Sequence, residues 1–356
     1  PIDVWALRDV VSRVQISPDG QHILVHKVES REGEYLLEIY RADDLSKPLR
    51  RVNADPMEIV SAQWVSGTQI FGSAWQVVRK TVKDQEGDVR EYASFFYDIE
   101  ANKFTRVDGN FGLVNTLPKD PDHILVSTGS AILDTSGSDP RERFRPRSYY
   151  KFNLKNGTRE LVLRGTIRNP QAAFDNDGNP RFSQGIDAAT NKLQYYYRKP
   201  GDGSWTQFLE FDLNATKNVA ARFSDIPGLA GFDPNDPSKG YFINWAEGED
   251  KAALFEFDFN TGTIGKKLYQ NDNADVMGVL THSIPGNDTL VAAVYPGAKM
   301  ERHWFDEEEK ALYQALEQQI PYAHQVSISS RSRDGTRMIV TNTGPRDPGS
   351  FWLVID

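Results

Sequence analysis

Cysteine is missing altogether from these 356 residues, which excludes disulfides, thiolate metal sites and a cysteine nucleophile together. Its absence leaves the compartment open, because oxidising and reducing compartments both hold cysteine-free proteins. No apolar run approaches the roughly 18 residues of a membrane span. Positive charge is also short, with 41 Lys plus Arg against 50 Asp plus Glu and a net charge of −9. A surface of that sign repels phosphate backbones and anionic lipid heads, and no dense basic stripe overrides it, so nucleic acid is excluded as a partner. The chain is not short of core-forming residues. Hydrophobic residues make up 39 % and aromatics 11 %, more than a disordered chain carries.

Catalytic signatures are missing as well. The sequence holds no G-x-S-x-G nucleophile elbow, no H-E-x-x-H and no P-loop. Of six histidines only His22 and His26 are close in sequence, and four positions along a strand separate them by about 13 Å, too far for one metal. Asp175 to Asn179 resembles the start of a calcium loop, but the spacing of the later ligands does not fit, and a turn accounts for it. No cofactor is called for.

A repeat is present. A turn signal followed at once by an apolar strand recurs at Asp19-Gly20, Ser66-Gly67, Pro121-Asp122, Asp177-Gly178, Ser238 to Gly240, Gly286-Asn287 and Asp334-Gly335. The first and last aspartates are 315 positions apart, so six intervals average about 52 residues. A second landmark, an aromatic followed by Asp or Asn and an apolar residue, recurs at Tyr97-Asp98-Ile99, Phe152-Asn153-Leu154, Phe211-Asp212-Leu213 and Phe257-Asp258-Phe259, with Tyr40 and Val354 to Asp356 at matching places. Each repeat reads as four strands. Four antiparallel strands every roughly 45–60 residues predict an all-β, seven-bladed β-propeller, since one blade cannot cover its own two faces. Blades are expected to start near residues 14, 61, 113, 170, 227, 275 and 324, as one domain over 1–356.

In the sixth repeat, Ala311, Leu312, Ala315, Leu316 and Ile320 fall at helical spacing behind the acidic Asp306 to Glu309. That predicts one amphipathic helix inserted in the blade and docked by its Leu face. The seventh repeat stops on its landmark, short of a fourth strand. Either Ile2 to Val14 supplies that strand or the native chain continues, and we expect continuation into a further domain.

One cationic segment stands out, Arg141, Arg143, Arg145 and Arg147 in the long loop of the third repeat. It is expected to be a solvated loop, with contact to a peptide or a neighbouring domain as the functional alternative, since Arg binds carboxylates bidentately.

The segments Val14 to Gly20, Ser330 to Gly335 and Thr343 to Trp352, with the helix before the last blade, carry a family likeness. The chain resembles the N-terminal propeller of bacterial prolyl oligopeptidase-family serine peptidases of the dipeptidyl or acylaminoacyl type. The resemblance implies a non-catalytic domain that covers and gates the active site of a C-terminal α/β-hydrolase domain of the same parent chain, limiting access to small peptides. It also implies a periplasmic or secreted location, no hydrolysis by this chain and no serine that takes a phosphonate. A stand-alone TolB-like or WD-like scaffold is the alternative. A propeller lactonase or glycosidase would need metal ligands or paired carboxylates around the axis.

Overall fold

The computed structural model describes residues 9–30, 33–79, 89–107, 109–128, 145–187, 189–214 and 227–356. These form seven antiparallel sheets in chain order. Blade one holds β1 Val11–Ile16, β2 His22–Val28, β3 Tyr35–Arg41 and β4 Arg50–Val52. Blade two holds β5 Glu58–Trp64, β6 Gln69–Arg79, β7 Val89–Asp98 and β8 Lys103–Val107. Blade three is β9 Phe111–Asn115, β10 His123–Thr128, β11 Ser148–Asn153 and β12 Arg159–Arg164. Blade four is β13 Gln171–Phe174, β14 Pro180–Asp187, β15 Lys192–Tyr197 and β16 Thr206–Asp212. Blade five is β17 Gly228–Phe232, β18 Lys239–Trp245, β19 Ala252–Asp258 and β20 Thr263–Gln270. Blades six and seven have three strands each: β21 Gly278–Thr281, β22 Leu290–Pro296 and β23 Met300–Trp304, then β24 Gln325–Arg331, β25 Arg337–Gly344 and β26 Asp347–Ile355. Among the described residues the expectation of four strands is corrected for blade six, while blade seven stops after its third strand as its sequence led us to expect.

Burial changes along each blade, and the sequence follows it. Middle strands are covered on both faces by neighbouring blades, so β3 buries Leu36, Leu37, Glu38 and Ile39 in succession, with no alternation. The fourth strands lie at the rim. In β8 and β12 most side chains are exposed, and Lys103, Arg106, Arg159 and Arg164 there discourage pairing with another edge. The pairing of the first two strands is interrupted by a register shift in all seven blades, which adds local twist beside the axis.

The seven turn signals each join the first and second strands of a blade. Blades one and seven build that turn identically. Ser17 Oγ donates to Asp19 Oδ1 at 2.5 Å and accepts from His22 N, while Ser332 Oγ donates to Asp334 Oδ1 at 2.5 Å and accepts from Arg337 N. Gly20 and Gly335 follow at φ 74° and 77°, where a side chain would be strained. The second landmark ends the third strand in blades two, three and five, but Phe211-Asp212 ends the fourth strand of blade four. There the short turn after β14 and the longer link 198–205 shift the count by one strand.

The helix α1, Glu307–Gln319, follows β23, with Asp306 as its N-cap accepting from the backbone of Glu308 and Glu309. Leu312, Leu316 and Ile320 dock on Val326, Met338 and Val340 of blade seven, as the Leu spacing required. Ala311 and Ala315 face outward, whereas Glu309 and Tyr313 are buried. The expected stripe was therefore placed about one position off.

The ring closes where blade one meets blade seven. Val14, Ile16 and Ile23 pack with Ile339, Phe351 and Leu353, and Ile16 N donates to Ser330 Oγ at 2.9 Å. Up to Val14, the described part of the N-terminal stretch supplies the first strand of blade one. Residues 1–8 lie outside the described residues.

Candidate functional site

Antiparallel order gives the ring two faces. First strands begin on one, which we call the entry face; the Asp-Gly turns lie on the other. A cavity of about 430 Å³ opens on the entry face between blades one and two, lined by Ser12, Arg13, His26, Tyr35, Glu58 and Trp75 among others.

Two register shifts shape this cavity. In blade one Val11 pairs with Lys27 and Arg13 with His26, which leaves Ser12 as the extra residue of a bulge. In blade two the shift between Ile59 and Ser61 does the same for Val60. A bulge re-aims a side chain that alternation would send elsewhere. Ser12 Oγ thereby comes within 2.6 Å of His26 Nδ1. His26 Nε2 lies 3.1 Å from the Ile59 carbonyl, and the ring stacks on Tyr35 at 4.5 Å. A carbonyl can only accept, so Nε2 carries the proton and Nδ1 presents its lone pair to the Ser12 hydroxyl. Burial pushes the His26 pKa below its ordinary value, with Arg13 adding to the effect, while the Ile59 hydrogen bond and Glu58 oppose it. On the far wall the Arg90 guanidinium lies 4.1 Å over the Trp75 ring.

Sequence reasoning missed this pair. It considered His26 only as a metal ligand beside His22, whose ring instead lies against Trp64. Among the described residues no three His, Asp or Glu side chains gather as a metal site. Asp175 to Asn179 forms a turn in which Asp175 Oδ1 accepts from the backbone of Asp177 and Asn179.

Of the cationic segment, Arg141 and Arg143 lie outside the described residues. Arg145 is exposed and Arg147 half-buried, just before β11 on the entry face. Arg147 N donates to the Pro170 carbonyl at 2.8 Å, and its own carbonyl accepts from Gly165 N. Arg147 therefore lies at the joint of blades three and four, away from the Ser12 cavity.

A second polar cluster occupies the turn face. Glu309 Oε1 of α1 lies 3.1 Å from His282 Nε2 and 3.3 Å from Arg331 Nη1, joining the helix to blades six and seven. No helix among the described residues is long and apolar enough to cross a membrane.

No family model and no curated protein matches the chain. Solved structures do. The chain aligns over 98 % of its length with 50 % of a prolyl endopeptidase, from a study of two such enzymes and the role of inter-domain dynamics in their catalysis and specificity, at 12 % identity and a TM-score of 0.53. It aligns over 97 % of its length with 48 % of prolyl oligopeptidase B from Galerina marginata, at 11 % identity and a TM-score of 0.52. The chain spans about half the length of these peptidases. Identity this low speaks for the fold alone: the chain shares the seven-bladed architecture of the prolyl oligopeptidase β-propeller.

Proposed function

We propose that this chain is the propeller part of a serine peptidase, where it covers the active site of an α/β-hydrolase domain in the same parent chain and admits only small peptides. The observation that carries the reading is the alignment of nearly the whole chain with about half of two prolyl peptidases. The sequence supports it from the other side, because no G-x-S-x-G elbow is available to do the family's chemistry here. Peptide-bond hydrolysis then belongs to the hydrolase domain, and the propeller contributes access and substrate contact. Arg145 and Arg147 on the entry face are suited to a peptide carboxylate or an acidic patch of that domain. A dipeptidyl or acylaminoacyl specificity and a periplasmic or secreted location belong to the same proposal.

Reading the parent coding sequence on both sides of this chain tests it. We expect a hydrolase-sized frame containing G-x-S-x-G, then Asp, then His. Its absence on both sides would favour a self-contained binding scaffold.

A further inference from the structure

Covering a hydrolase makes no use of Ser12 and His26, yet the two are arranged as a nucleophile and its base. Three parts define such an arrangement: a hydroxyl, a base within hydrogen-bond reach, and a third group that orients the base. Here they are Ser12 Oγ, His26 Nδ1 at 2.6 Å, and the Ile59 carbonyl 3.1 Å from Nε2. The base comes from β2 and its orienting carbonyl from β5, so two blades fix the ring.

Exposure separates this pair from an ordinary structural hydrogen bond. His26 is 7 % exposed and held from both ring nitrogens, whereas Ser12 is exposed on a bulge that opens into the cavity of about 430 Å³. That volume suits a small ester. Arg13 follows Ser12 and lines the same cavity, a cation of the kind that favours negative charge on an attacked carbonyl oxygen. Burial keeps His26 neutral near pH 7, as a base must be.

We infer that Ser12 is an activated nucleophile that accepts acyl groups from small esters, with His26 as its general base. In the first step Ser12 Oγ bonds to the ester carbonyl carbon and its proton passes to His26 Nδ1. The bond to the leaving alcohol breaks, and the alkoxide takes that proton. Water then attacks the acyl-Ser12 carbonyl by the same route, releasing the acid and restoring the hydroxyl. A fluorophosphonate reports the first half: the Oγ–P bond forms, the P–F bond breaks and fluoride leaves. This is the opposite of what the sequence alone led us to expect.

The test uses the purified chain, a fluorophosphonate probe and peptide mapping by mass spectrometry. The expected result is one equivalent of label on Ser12, absent in Ser12→Ala, and slowed about 100-fold or more in His26→Gln. Ser12 is exposed, so Ser12→Ala keeps the fold, which matching melting curves verify. Labelling of the wild type should be full at pH 7 and fall only at a pH below the ordinary histidine value of 6.5, because burial and Arg13 hold the His26 pKa down against the Ile59 hydrogen bond and Glu58. No label under conditions that saturate a control serine hydrolase, or label that survives Ser12→Ala, overturns the inference. Neither result bears on the place of the propeller in a peptidase, which the flanking coding sequence decides separately.

Discussion

Blades four and five are joined by aromatic rings; blades six and seven are joined by a helix and its charges. At the first joint Phe182, Tyr195, Phe242 and Phe257 are buried and pack with Phe208, with ring centroids 4.8 Å apart for Phe208 and Phe257 and 5.7 Å for Phe242 and Phe257. Such contact is non-directional and scales with area removed from water. At the second, α1 sets Leu316 and Ile320 on blade seven, but Glu309 must also meet His282 and Arg331, and the Arg302 guanidinium lies 4.6 Å over Tyr313. Those contacts depend on charge state and on alignment. The same ring is thus sealed in one place by bulk and in another by matched pairs, and the two should fail under different conditions.

The largest expected effect lies in the aromatic joint. Phe242 is 0 % exposed, and Phe242→Ala should cost about 3–5 kcal/mol in chemical denaturation, nearly independent of salt. A salt-dependent loss there would break the contrast. Glu309→Gln should cost about 1.5–3 kcal/mol, because the carboxylate charge facing Arg331 is lost, with only a small salt dependence since the pair is buried. Asp306→Ala removes the α1 cap and should cost about 1 kcal/mol, read as a lower melting temperature.

The smallest effect concerns the joint of blades one and two, where an apolar cluster has His26 at its mouth. The folded pKa of His26 lies below its usual 6.5, so the unfolded chain binds the proton more readily. The stability His26 contributes is complete above pH 6.5 and is lost as pH falls below that and through the folded value. Denaturation at pH 7 and pH 5 should therefore show a downward slope that His26→Gln flattens. An unchanged slope in that variant would assign the acid sensitivity to other groups.

What could be read from sequence was what short segments decide by themselves. The Ser17 to Gly20 and Ser332 to Gly335 turns are closed by hydrogen bonds within a few residues, so their spacing exposed the repeat. The cap and Leu spacing of α1 are local too. Its exact face was not legible, because Glu309 is drawn inward by His282 and Arg331 from other parts of the chain. The landmark at Phe211-Asp212 slipped for a related reason, since an aromatic at a strand end does not say which strand is ending. Ser12 and His26 left no sequence signal. They are brought together by the register of β1 on β2 and by one extra residue at position 12, and alternation does not foresee a bulge.

The central claim is that this propeller restricts what reaches a hydrolase active site. The most direct measurement presents the proposed parent peptidase, isolated as its full-length chain, with one scissile sequence in two contexts, a short peptide and a long unfolded polypeptide. Rapid hydrolysis of the short form with the long form spared is the predicted result. Equal rates for both would contradict the account.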